Sequence, residues 1–145
     1  MNLTGLDQFQ INDGSRFPNR KLVWWKDSLL FDGYSVWMRT GEKPLREGSF
    51  SLCFSLFPLG FSGGEDGIFS WLDRKEKKGF SVGLLKVGRV RIRFGNGKTL
   101  FGFDSINDHV RIREWNRIIV IFSKDAGWFV MYVHGVISNL HTFLA

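Results

Sequence analysis

One stretch, residues 49–57, sets the terms for the whole chain. It reads Ser-Phe-Ser-Leu-Cys-Phe-Ser-Leu-Phe, so Phe50, Leu52, Phe54 and Leu56 recur at every second position with small residues between them. Successive side chains of a strand point to opposite faces, whereas a helix repeats about every 3.6 residues. The run therefore predicts a strand with one apolar face. Pro58 ends it, because proline has no N–H to give to a ladder.

The same period returns downstream. Phe80, Val82 and Leu84 alternate, and so do Val90, Ile92 and Phe94, with Arg89, Arg91 and Arg93 on the opposite face. Val87-Gly88 is read as the turn between these two strands. Gly95-Asn96-Gly97 is a tight turn, since these residues tolerate positive φ. Residues 61–67 read as a turn-rich loop and 68–72 as a short strand, followed by a charged turn around Lys75. Further strands are predicted over 99–103, 117–122, 128–133 and 136–143, with a polar loop over 104–113. In the N-terminal third, 22–25, 29–31 and 35–39 read as short strands and residues 1–20 as an irregular segment. Many short strands with turns roughly every 8–12 residues predict an all-β antiparallel sandwich or barrel. The 145 residues suit a single domain, and 15 Phe and 6 Trp are enough to fill a thick core.

Composition removes several alternatives. At 43% hydrophobic and 23% charged residues the chain is globular in type rather than disordered. The single cysteine, Cys53, allows no internal disulfide, and its apolar neighbours Leu52 and Phe54 predict a buried small hydrophobe. With three histidines besides, the usual zinc spacings are excluded. Residues 1–19 lack a signal-peptide pattern and no apolar run approaches ~18 residues, so no membrane partner is expected. The net charge of +6 and pI near 9.8 raise nucleic acid as a partner, but no nucleic-acid motif accompanies Arg89, Arg91 and Arg93. They read as the solvated face of a strand.

Three segments resemble the laminin-G-like group of the concanavalin A-like lectin and glucanase superfamily. Leu30-Phe31-Asp32-Gly33 with Ser35-Val36-Trp37 resembles that group's "F-D-G…V" opening. Residues 50–58, Phe-Ser-Leu-Cys-Phe-Ser-Leu-Phe-Pro, are similar to its "F-T-I-S-F-W-F-K-P" strand, with Gly67-Ile68-Phe69-Ser70 where it has "I-L-S". Trp115-Asn116-Arg117-Ile118-Ile119-Val120 and Tyr132-Val133-His134-Gly135 look like its "W-H-H-V-A-V" and "L-Y-V-N-G". Asn116 and His134 depart from the commonest residues there. The resemblance implies a jelly roll of two curved antiparallel sheets, with Trp115 in the core. It also implies strands beyond Gly135 that the chain scarcely has room for. Either the N-terminal segment supplies that pairing or the sequence is truncated at its C-terminus. The opening is further similar to modules attached to invertase- and levanase-type glycoside hydrolases.

Catalysis is not expected. The related glucanases have an E-x-D-x-x-E strand motif, and retaining hydrolysis needs two carboxyls roughly 5–5.5 Å apart. Here Glu65-Asp66 falls in a glycine-rich turn, Asp73 and Glu76 in a basic turn, and Asp104 and Asp108 in a loop. His109, His134 and His141 adjoin no nucleophile in a strained G-x-S-x-G turn, and each reads as a surface or turn histidine.

What remains is binding. Sugar rings stack on aromatic faces, and the candidates are Trp24, Trp25, Tyr34, Trp37 and Trp128. Trp24 and Trp25 are adjacent, so on a strand only one of them can enter the core. The resemblance also implies calcium at the sandwich rim, for which Asp66, Asp104, Asn107 and Asp108 are the oxygen donors at hand. The leading expectation is a non-catalytic carbohydrate-binding module, accessory to a glycoside hydrolase, whose partner is a glycan or a neighbouring catalytic domain. The alternative is a structural or protein-interaction sandwich with no ligand of its own. A third reading, polyanion binding through Arg89, Arg91 and Arg93, predicts steep loss of affinity with salt.

Overall fold

A computed structural model of the chain describes residues 9–13, 23–25, 28–31, 36–40, 49–106, 109–123 and 125–142. The chain divides into two compact units, Met1–Pro44 and Leu45–Ala145. Among the described residues the first contains the strands β1 (Phe9–Asp13), β2 (Val23–Trp25), β3 (Ser28–Leu30) and β4 (Val36–Thr40). β1 pairs antiparallel with β4, and β2 with β3. β1 falls within the stretch expected to be irregular. Its Phe9 and Ile11 do alternate with Gln10 and Asn12, but over too few residues to stand out.

The second unit is an antiparallel sandwich. Its strands are β5 (Phe50–Leu56), β6 (Glu65–Asp73), β7 (Lys78–Leu85), β8 (Val90–Asn96), β9 (Leu100–Asp104), β10 (Asn116–Ser123), β11 (Trp128–Val133) and β12 (Val136–Thr142). One sheet has the order β12-β11-β10-β5 and the other β6-β7-β8-β9. Alternation decides which side chains meet between them. Phe80, Val82 and Leu84 of β7 and Val90 and Ile92 of β8 face Ile118, Val120 and Phe122 of β10 and Phe129, Met131 and Val133 of β11. Phe50, Leu52, Phe54 and Leu56 pack against this core from β5.

Aromatic rings bridge the layers. Phe50 meets Phe80 edge-on at 5.1 Å between centroids, Phe94 meets Phe122 at 4.6 Å, and Phe103 meets Phe129 at 4.7 Å. Each fully buried side chain such as Val82, Ile118 or Met131 contributes roughly 1.5–3 kcal/mol. The void left among the core phenylalanines is only about 10 Å³, too small for a ligand there.

The same alternation corrects two expectations. Cys53 is exposed, because the parity that turns Leu52 and Phe54 inward turns it outward. Trp115 is 49% exposed rather than core, because Asn116, Ile118, Val120 and Phe122 are the inward residues of its segment. It packs instead against the Phe57 ring, 5.5 Å away.

Candidate functional site: a polar row on a glycine and serine floor

Arg91 and Arg93 lie on the outer face of β8, since Val90, Ile92 and Phe94 take the inner one. The strand register brings Asp104, the last residue of β9, opposite Arg91. Arg91 Nε donates to Asp104 Oδ1 at 2.6 Å and Arg91 Nη2 to Asp104 Oδ2 at 2.7 Å, a two-pronged pairing that fixes both planes.

On the other side, Glu65 reaches from β6 across β7 to accept from both Nη atoms of Arg93. Its Oε2 also lies 3.9 Å from Arg91 Nη1. The crossing depends on Gly83, where a Cβ would come within 2.8 Å of Glu65 Oε1. Ser81, opposite Arg93 on β7, is buried beneath the row, and Gly102 opposite Arg93 on β9 leaves open space. The outer face is therefore a low floor of small residues crossed by one line in which two carboxylates flank two arginines.

Three sequence expectations change here. Asp104 is on a strand, not in a loop, and Glu65 and Asp66 open β6 instead of sharing a turn, so they point to opposite faces. The arginines are not a plain solvated face: Arg91 and Arg93 are paired with carboxylates.

Hydrogen bonds from Arg91 hold the Asp104 carboxyl below its ordinary pKa. Burial opposes them, and the charges of Arg91, Arg89 and Arg93 add to them. The Arg91 guanidinium is shifted up, foremost by the same bonds. A depressed carboxylate suits hydrogen-bond acceptance and not proton donation. Its stabilisation is complete above the unfolded value near 3.8 and is lost as pH falls through the lower folded value. Because the pair is partly solvated, Asp104→Asn is expected to cost only about 1 kcal/mol at neutral pH. Urea titrations of variant and parent should converge in acid. A deficit that stayed constant down to about pH 2 would rule out a charge origin.

The row ends at a cluster of loops. Val110 N donates to Gly88 O at 2.8 Å and Arg113 N to Pro58 O at 2.8 Å, which ties the β5–β6, β7–β8 and β9–β10 connections together. A 3₁₀ turn, Lys86–Gly88, links β7 to β8. Within it Val87 has φ 65°, a left-handed conformation that a β-branched residue rarely adopts, and its side chain is 60% exposed. Gly63, Gly64, Glu65, Leu85, Lys86, Val87, Arg89 and Arg91 line an open depression of about 480 Å³.

Of the aromatic candidates, Trp128 does not join this face. Trp128 is half-buried on the outer side of β11, in the other sheet. Trp24 and Trp25 lie opposite Leu29 and Ser28 in the β2–β3 pair, and Trp37 opposite Asn12 in the β1–β4 pair. Their side chains, and Tyr34 entirely, fall outside the described residues, as do Asn107 and Asp108 of the calcium set.

The other two calcium candidates are separated. Asp66 is on β6 facing the core side, where its Oδ2 accepts from Ser62 N at 2.9 Å. Asp104 faces outward on β9, three strand spacings or about 14 Å away. One ion with ligands at roughly 2.3–2.6 Å does not take both. Among the described residues no group of three or more His, Cys, Asp or Glu side chains is arranged to hold a metal.

No family model and no curated protein matches the sequence. Among solved structures, the chain is similar to the Ruminococcus gnavus IT-sialidase CBM40 bound to α2,3-sialyllactose, at 14% identity and a TM-score of 0.54. The match covers 68% of this chain and 55% of that one. The native heptameric SAP-like pentraxin of Limulus polyphemus aligns at 14% identity and a TM-score of 0.47, over 66% and 45% of the two chains. The first likeness, together with the two stacked antiparallel sheets, makes the fold a concanavalin A-like jelly-roll sandwich.

Proposed function

We propose that this chain is a non-catalytic carbohydrate-binding module and that a saccharide lies along the outer face of the β6-β7-β8-β9 sheet. The observation that carries the reading is the line Glu65, Arg93, Arg91, Asp104 set on a floor of serine and glycine. Sugar hydroxyls both donate and accept, and the line offers N–H donors and carboxylate acceptors already held in position. The low floor lets a ring approach the backbone. The carbohydrate-binding module among the similar structures supports the same class; a role accessory to a glycoside hydrolase is the finer part of the proposal and rests on the sequence resemblance. The laminin-G-like motifs are the finer family reading. Trp24, Trp25, Tyr34 and Trp37 stay proposed as stacking residues, whereas Trp128, on the outer side of the other sheet, does not face a saccharide held here.

A glycan array probed with the full chain tests this. Arg91→Ser combined with Asp104→Ser removes the pair without stranding a charge, and is expected to weaken binding about tenfold or more. Trp25→Ala is the aromatic control. An array with no bound glycan, or binding indifferent to the double variant, would sink the proposed site.

A second reading, a domain that docks on a neighbouring protein, is favoured by the other sheet. Its outer face carries the half-buried Ile119, Ile121 and Tyr132, with exposed Ile137 opposite Tyr132 and exposed Leu140 on the edge strand. That reading predicts a blank array and co-purification with an adjoining domain that is lost in Ile121→Lys.

A further inference from the structure

The charges on the polar face are unevenly spent. Glu65 and Asp104 are matched by Arg93 and Arg91, so the line is neutral as a whole. Lys86 and Arg89, at the depression where the line ends, have no carboxylate within 4.0 Å among the described residues. Both are exposed, and both line the depression. Lys75, Lys77, Lys78 and Lys98 lie at the opposite hairpin end of this sheet, and Arg91 and Arg93 between the two ends are matched by carboxylates, so no continuous stripe of unmatched cations crosses the face. A groove that tracks a nucleic-acid backbone needs the opposite, a stripe of unpaired cations.

The turn that presents these two side chains is held from both sides. Leu85 N donates to Arg89 O at 2.8 Å across its mouth, and Val110 N donates to Gly88 O at 2.8 Å from the β9–β10 loop. A Cβ at Gly88 would sit 2.2 Å from Val110 O, so the two backbones are in tight contact. Val87 keeps its unfavourable φ of 65° inside this frame. Cations on a turn braced in this way lose little backbone freedom on binding, which favours an anion that arrives attached to a ligand already lying on the floor. The volume, about 480 Å³, is within the range of small-ligand sites.

We infer that the depression receives the acidic group of a saccharide, a carboxylate or a sulfate ester, on Lys86 and Arg89, an inference that rests on the carbohydrate-binding reading. Arg89 supplies a planar fork of N–H donors and Lys86 a point charge, while the rest of the saccharide extends over Gly83 and Gly102 toward Arg93.

Isothermal titration of the full chain against matched oligosaccharides is the test. The probes are a neutral chain, the same chain bearing uronate, and the same chain bearing sulfate, with a short DNA duplex alongside. The expected result is that one or both acidic chains bind about tenfold more tightly than the neutral one. The uronate and sulfate arms identify which acid is taken. In Lys86→Gln with Arg89→Gln the preference for acidic over neutral chains collapses toward one, with the unfolding midpoint unchanged as a control on folding. If neutral chains bind and the double variant keeps the preference, or none existed, the acidic-group inference fails and the carbohydrate reading stands. If no saccharide binds, both fall. DNA binding as tight as the acidic chain would reduce the depression to non-specific electrostatics and overturn the inference.

Discussion

Asn116→Ala is expected to lower unfolding stability by about 3–5 kcal/mol, the largest effect of any polar substitution in this sandwich. Asn116 is completely buried at the start of β10. Its Oδ1 accepts from Arg111 N at 2.7 Å, and its Nδ2 donates to Arg111 O at 2.8 Å and Glu114 O at 2.7 Å, with a longer contact of 3.4 Å to Leu56 O. One amide therefore closes the Arg111–Trp115 loop and joins it to the end of β5. Alanine leaves one N–H and two carbonyls of this part-buried loop without their partner, at a cost of roughly 1–3 kcal/mol each to the extent that water does not reach them.

Asn116→Asp separates hydrogen bonding from volume. The carboxylate has nothing to donate to those carbonyls, and burial raises its pKa above the unfolded value. The folded state then binds more protons than the unfolded one, so this variant loses stability as pH rises above about 4 and is least impaired in acid. Denaturant midpoints for both variants at acidic and neutral pH check this. A midpoint equal to that of the parent for Asn116→Ala would mean that the loop closes without the amide.

Gly88→Ala is the second large effect, an expected loss of about 2–4 kcal/mol. Two costs coincide there. The residue has φ +79°, and an added Cβ would meet Val110 O at 2.2 Å and Phe61 Cζ at 3.1 Å. The carbonyl belongs to a backbone whose own N–H is bonded to Gly88 O, so it has no room to retreat. Gly135→Ala is the matched control: its φ is +80°, but nothing lies within 4 Å of the added methyl. It is expected to cost about 1 kcal/mol, the conformational share alone. Equal losses at the two positions would show that the crowding against Val110 contributes nothing. Because Gly88 closes the turn that carries Lys86 and Arg89, its substitution is also expected to weaken ligand binding where Gly135→Ala does not.

Most of the fold was legible because alternation is a property of contiguous residues. Residues 49–57 alone show that Phe50, Leu52 and Phe54 face a core, and the predicted Gly95-Asn96-Gly97 turn is made by Gly97 at φ +91°, while Gly95 and Asn96 continue β8. The exposure of Cys53 was legible too, by the same parity, although its apolar neighbours argued otherwise. Trp115 was misread because a family motif was followed in place of the parity that Ile118, Val120 and Phe122 extend back to Asn116.

The candidate site is different in kind. Arg91 and Arg93 were visible on one strand face, but their partners Glu65 and Asp104 come from 26 positions before Arg91 and 13 after it. Nothing local connects them. Glu65 reaches β8 only because β7 lies between them in the sheet with Gly83 at the crossing, and Asp104 faces Arg91 only through the β8–β9 register. By itself the sequence determined where most strands of the sandwich run and, through parity, which face their residues present, since both follow from neighbours along the chain. Which strands lie side by side, and therefore which charges meet and which are left over, was decided by tertiary pairing, a relation between distant segments that no local period encodes.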